Sequence, residues 1–93
     1  MRPEAAAHLI IHGRVQGVGY RFYTQEMAGN LSLTGWVRNL PDGDVEAFVE
    51  GSRQDIETFI KGLEKGPTMA RVESVSVDWP PPQGHATEFS ITG

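Results

Sequence analysis

Between Leu9 and Arg21 the chain changes its hydrophobic period, and it makes the change through glycine. Leu9, Ile11 and Val15 share one face of an alternating run, with His8, His12 and Arg14 on the other, which predicts a strand over residues 7–15. Three glycines then punctuate the stretch Gly13-Arg14-Val15-Gln16-Gly17-Val18-Gly19-Tyr20-Arg21, and from about Tyr20 to Leu31 the apolar residues recur at helical spacing. Small residues let successive backbone N–H groups converge on one point, and a helix start adds N–H groups without intrahelical partners. The product is a concave site of partial positive charge, which the forked donors of Arg21 complete. Such a site suits phosphate. A Walker loop is excluded, because no Lys-Ser/Thr pair follows the glycines, and Gly13-x3-Gly17-x-Gly19 is not the dinucleotide spacing.

The remaining elements follow from pattern and punctuation. Thr34 to Asn39 reads as a strand, Leu40-Pro41-Asp42-Gly43 as a turn, and Asp44 to Glu50 as a strand with Val45, Ala47 and Val49 on one face, so the two strands form a hairpin. Ser52 is an N-cap with Asp55 three residues on, Ile56, Phe59, Ile60 and Leu63 form one apolar stripe, and Gly66-Pro67 stops the helix. A fourth strand is expected from about Arg71 to Trp79 with Val75, Val77 and Trp79 inward, and Val72, out of phase, marks a bulge. Beyond Pro80-Pro81-Pro82 and Gly84, a short last strand carries Phe89 and Ile91. The order βαββαβ plus a terminal strand, with one apolar face per element, predicts a ferredoxin-like α/β (α+β) sandwich. Its sheet is mainly antiparallel, and right-handed crossovers put both helices on one face.

Composition narrows the class of function. Ninety-three residues are expected to form one domain, residues 1–93, and the absence of cysteine excludes disulfides, thiolate catalysis and thiolate-bound metals. No apolar run approaches the ~20 residues needed to span a bilayer, and Met1 to Ala7 lacks a secretory core, so no membrane role and a cytoplasmic location are expected. A net charge of −4 opposes general nucleic-acid binding. The charge is also segregated. Residues 1–40 hold Arg2, Arg14, Arg21 and Arg38 against Glu4 and Glu26, whereas ten of the twelve acids lie in residues 41–93. A small anion is drawn to the first half, while a long polyanion meets repulsion elsewhere.

The stretch Gly13 to Arg21, together with Gly35-Trp36-Val37-Arg38-Asn39-Leu40-Pro41-Asp42-Gly43-Asp44-Val45-Glu46, resembles the acylphosphatase family. The element order and length extend the resemblance over nearly the whole chain, with Tyr20 where the family usually has Phe. The resemblance implies hydrolysis of a carboxyl-phosphate anhydride to a carboxylate and inorganic phosphate, without metal or organic cofactor. It implies that Arg21 binds the phosphate as the catalytic arginine, that backbone amides of Gln16, Gly17, Val18, Gly19 and Tyr20 hold the phosphoryl oxygens, and that Asn39 orients the attacking water. The chemistry of these residue types agrees: a loose phosphoryl transition state needs positioning and charge stabilisation, which N–H groups and one Arg supply. The leaving carboxylate, whose acid has a pKa of about 4, departs without a general acid.

Each residue also has a structural reading. Asn39 could only start its turn, and the side-chain role of Gln16 stays open. Arg21 is poorly placed for a helix dipole, which favours a ligand role. His8 and His12 share a strand face but have no evident third ligand, so a solvated or partner-facing surface is expected rather than a metal. Trp36 and Phe48 are expected on the face away from the helices, packed on neighbours rather than stacking RNA bases, since Glu46 and Glu50 flank Phe48. The rivals to an enzyme are a binding module that keeps the anion cradle without turnover, and an RNA-binding sheet. A fragment of a larger carbamoyl-transferring protein is a third. Gly93 closing the last strand favours a complete protein, and a monomer is expected.

Overall fold

The computed structural model describes residues 3–92, so Gly93 and its expected closing of the last strand lie outside the described residues. The elements are β1 (Ala5–Arg14), α1 (Tyr20–Asn30), β2 (Thr34–Asn39), β3 (Val45–Gly51), α2 (Arg53–Lys65), β4 (Arg71–Asp78) and β5 (Phe89–Ile91). They form one sheet in the order β4-β1-β3-β2-β5. β1 runs antiparallel to β3 and β4, β2 antiparallel to β3, and β5 parallel to β2. Each β-α-β crossover therefore skips one strand: β3 lies between β1 and β2, and β1 between β3 and β4. This is the ferredoxin-like α+β order expected from the sequence, with β5 added at the β2 edge.

The inward alternation builds the core. Leu9 and Ile11 of β1, Val37 of β2 and Val45, Ala47 and Val49 of β3 are fully buried in one cluster with Ile56, Phe59 and Leu63 of α2. Each large side chain among them contributes roughly 1.5–3 kcal/mol. α2 packs on β1, β3 and β4, α1 on β2 and β5, and the helices touch each other, so both cover one face. α2 carries its own cap: Asp55 N donates to Ser52 Oγ at 3.1 Å.

α1 is held differently. Its buried line is Tyr20, Thr24 and Ala28, with Met27 and Leu31 packing only partly. Two tyrosine hydroxyls fasten it to α2: Tyr20 donates to Leu63 O at 2.6 Å and Tyr23 to Gly62 O at 2.7 Å. The hydroxyl that Tyr20 adds over phenylalanine thus has a partner. Burial, and secondarily the neighbouring Tyr23, push the Tyr20 phenol well above its usual range, so it stays a donor.

The expected bulge is present. The β1–β4 register shifts between His12, opposite Ser74, and Gly13, opposite Val72, leaving Glu73 as the extra residue. Trp79 lies on the helix-covered side with Val77, as expected, but it is not buried. One residue beyond the last β1–β4 pair, His8 with Asp78, it sits at the edge of the core, 39% exposed, with the Arg53 guanidinium of α2 over its ring. The proline segment then carries the chain from the β4 edge to the β5 edge. The buried carboxylate of Glu50 accepts from the backbone N–H groups of Gln83 and Gly84 and anchors that crossing.

The face opposite the helices is a cross-strand polar network. Trp36 and Phe48 stack with centroids 6.2 Å apart, His8 and Arg38 bind Glu46 at 2.7 and 2.6 Å, and His12 binds Asp44 at 2.8 Å. Both histidines are therefore paired with carboxylates, and among the described residues no three His, Asp or Glu side chains gather to hold a metal ion.

Tyr20→Phe should lower stability by about 1 kcal/mol, a fall of roughly 4–8 °C in Tm, because it removes the donor to Leu63 O; thermal unfolding checks it. Burial pushes the Glu46 carboxyl up, but His8 and Arg38 outweigh it and hold the group below 4.5, its ordinary value. The ion pairs therefore stabilise the fold above about pH 4.5, and this contribution fades as pH falls through the lowered folded-state value. The stability difference between parent and Glu46→Gln should shrink over that acid range in denaturant titrations.

Candidate active site

The turn from β1 into α1 is where the backbone leaves donors unused. Gly17 and Gly19 take φ values of 73° and 77°, a left-handed conformation that a side chain resists. Gly19 is the N-cap of α1 and offers no side chain to cap it, in contrast to Ser52 at α2. The first helical bond is Tyr23 N to Gly19 O at 3.0 Å. Among the described residues, no backbone N–H from Gln16 to Phe22 donates to a protein acceptor. No acidic side chain occupies the first turn of α1, so the positive end of the helix is not neutralised locally.

These donors border a cleft of about 210 Å³ lined by Val15, Gly17, Gly19, Tyr20, Arg21, Phe22, Asn39 and Ile91. Arg21 is the only formally charged residue in the lining, and it makes no ion pair among the described residues. Asn39 reaches the same cleft from the end of β2. Its Oδ1 is buried without a hydrogen-bond partner. A buried carboxamide oxygen left unsatisfied costs about 1–3 kcal/mol, so its retention beside unpaired donors and one arginine points to a ligand.

The sequence-predicted residues thus divide. Arg21, Asn39, Gly17, Gly19 and Tyr20 line one cleft. Gln16 and Val18 belong to the same loop, but the Gln16 side chain turns to the β2–β3 turn and Val18 packs against the core. The sequence reading missed Phe22 and Ile91 as cleft residues. Phe22 is 74% exposed, and an apolar residue on the outward side of a helix start was its only signal. Ile91 gave none, because its place depends on β5 lying parallel to β2, with Ile91 opposite Val37.

A larger, shallower groove of about 510 Å³ lies between α2 and β4, lined by Arg53, Glu57, Ile60, Lys61, Glu64, Val77 and Trp79. Its two cations are equalled in number by two carboxylates, and Arg53 pairs with Glu57 at 3.5 Å. The smaller cleft is the one with unmet donors.

Fold and cleft together define a ferredoxin-like α/β sandwich in which the β1–α1 loop, Arg21 and Asn39 meet at one cleft. The acylphosphatase family model matches residues 7–91. The chain is 51% identical over 87 residues to an acylphosphatase of Thermococcus kodakarensis, covering 94% of each chain, and 45% identical over 91 residues to one of Roseiflexus sp., covering 98% of each. It superposes on the crystal structure of acylphosphatase from Bacillus subtilis with a TM-score of 0.93 at 34% identity, over 96% of this chain and 99% of that one. The chain belongs to the acylphosphatase family. No helix among the described residues is long and apolar enough to cross a membrane.

The outward apolar wall generates its own prediction. If Phe22 contacts the substrate beside its reacting end, Phe22→Ala should weaken kcat/KM for benzoyl phosphate about 2- to 10-fold, the worth of one aromatic contact. Acetyl phosphate, which has no aromatic ring to pack there, should be hydrolysed as before.

Proposed function

We propose that this cleft hydrolyses acyl phosphates, with the phosphoryl group on the amides of Gln16 to Tyr20 and the Arg21 guanidinium, and the attacking water on Asn39. The observation that carries the reading is the convergence of the unpaired loop donors, an arginine without an ion pair and the orphaned Asn39 oxygen on one cleft.

The amides and Arg21 take up charge on the phosphoryl oxygens as the bond between phosphorus and the acyl oxygen lengthens. The Asn39 carboxamide hydrogen-bonds the water and aims its oxygen at phosphorus. A neutral carboxamide does this without adding repulsive charge beside a phosphate. The P–O(acyl) bond breaks, the carboxylate leaves with its electron pair, and the water's proton passes to a phosphoryl oxygen. An acyl phosphate dianion and water thus yield a carboxylate and the monoanion of phosphate. The alkoxide leaving group of a phosphate ester would need an acid, and Tyr20, the one neutral O–H in the lining, already donates to Leu63. Acyl phosphates are therefore preferred over esters.

Among the described residues no histidine lines the cleft, and the proposed mechanism uses no histidine base. The positive charge that a metal would supply comes from Arg21 and the amides, and inorganic phosphate, as product, should compete for them. All these groups come from one chain, so a monomer suffices; a cytoplasmic location, in keeping with a chain without cysteine, belongs to the same reading.

Benzoyl phosphate hydrolysis in EDTA tests the roles. Arg21→Gln should lower kcat/KM by at least ~10²-fold and weaken inhibition by phosphate, as loss of a principal charge-stabilising donor does. Asn39→Ala should lower kcat by ~10²-fold or more with phosphate affinity retained. A folded parent that binds phosphate without turnover would instead mark a binding module. A limb in the parent's pH–rate profile near pH 6.5 would reveal a histidine base and contradict the proton route.

A further inference from the structure

The two halves of the cleft come from strands that are not neighbours. The amide loop follows β1, Asn39 ends β2, and β3 separates the two. The ladders that relate them run out at a single residue, Val45: β1 last pairs there through Ile11, and β2 through Asn39. Beyond Val45, no β1–β3 or β2–β3 backbone pair relates the loop at residues 15–19 to the β2–β3 turn.

One side-chain nitrogen crosses that gap. Gln16 Nε2 donates to Leu40 O at 2.8 Å and to Asp44 O at 2.9 Å. Leu40 directly follows Asn39, and Asp44 directly precedes Val45. The same two carbonyls close the turn itself, with Leu40 N donating to Asp44 O at 2.8 Å and Gly43 N to Leu40 O at 3.2 Å. Gln16 thus grips the closed mouth of the turn by its backbone, one residue from Asn39. His12 also reaches the turn, but from within β1 and only to the Asp44 carboxylate.

We infer that Gln16 is a positioning residue for the proposed reaction: its carboxamide sets the separation between the phosphate cradle and Asn39. This rests on the roles proposed above for the loop amides and Asn39. The residue type fits the task. Two converging carbonyls need one nitrogen bearing two N–H groups; a carboxylate has no donor, and an ammonium would bring a second charge toward the anion site. The consequence is kinetic. A displacement on the order of 1 Å between phosphoryl group and water can cost ~10²-fold in rate, while the amides and Arg21 continue to hold phosphate.

The test is a double-mutant cycle on benzoyl phosphate hydrolysis, with Gln16→Met, of similar length and without donors, alone and combined with Asn39→Ala. Alone, Gln16→Met should lower kcat by about 10- to 100-fold and leave the inhibition constant of inorganic phosphate within about twofold. In the Asn39→Ala background it should change kcat by less than about twofold, since there is no oriented water left to misplace. Gln16→Asn, which keeps the amide but is one methylene too short to span both carbonyls, should behave like Gln16→Met and replaces it if that variant does not fold. An unchanged kcat in the single variant, an equal loss in both backgrounds, or a parallel loss of phosphate affinity would overturn the inference. An Asn39→Ala protein with full kcat would overturn the site reading itself, and the inference with it.

Discussion

Among the described residues, no backbone N–H from Gln16 to Phe22 meets a protein acceptor, and that run of seven free donors is the constraint around which this molecule is arranged. Gly17 and Gly19 are exposed, so water can satisfy these donors, but the turn and helix start gain no internal hydrogen bond from them. Gly17 and Gly19 allow the left-handed turn, and α1 begins without a side-chain cap. The missing stability comes from farther along the helix. The hydroxyls of Tyr20 and Tyr23 dock it onto the end of α2, whose own start is capped by Ser52. One helix thus carries its own cap, and the other is fastened to its neighbour by two side chains.

The sheet order imposes the second requirement. With β3 between β1 and β2, the cradle and Asn39 cannot be held by a direct ladder between their own strands. β3 acts as the common reference as far as Val45, and the Gln16 carboxamide continues the connection to the turn. The opposite face of the same strands is occupied by paired charges and stacked aromatics that link neighbouring strands.

Much of this was legible from residues alone, and the reasons are specific. The β1–α1 turn showed itself because the hydrophobic period changes there through glycine, and Arg21 because a cation is badly placed at a helix start unless something anionic meets it. Asn39 was readable as a site residue only in company with the first motif; alone, it looks like a turn residue. The bulge at Glu73 was foreshadowed by the phase of Val72. What escaped depended on long-range placement. Trp79 obeys strand alternation in sequence but lies past the last paired residue. Ile91 enters the cleft through a parallel pairing with no local signature. The Gln16 side chain finds its partners in two backbone carbonyls 24 and 28 residues away, and carbonyls carry no residue-type signal.

The central claim is that phosphate is held by the amides of the β1–α1 loop. It is tested most directly by titrating the ¹⁵N-labelled protein with inorganic phosphate in EDTA and following each backbone amide. The account predicts saturable shifts concentrated at Gln16 to Arg21, with the Asn39 side-chain amide moving along the same isotherm. Shifts centred instead on exposed cations away from the cleft, such as Arg53, Lys61 and Arg71, with the loop amides unmoved, would contradict it.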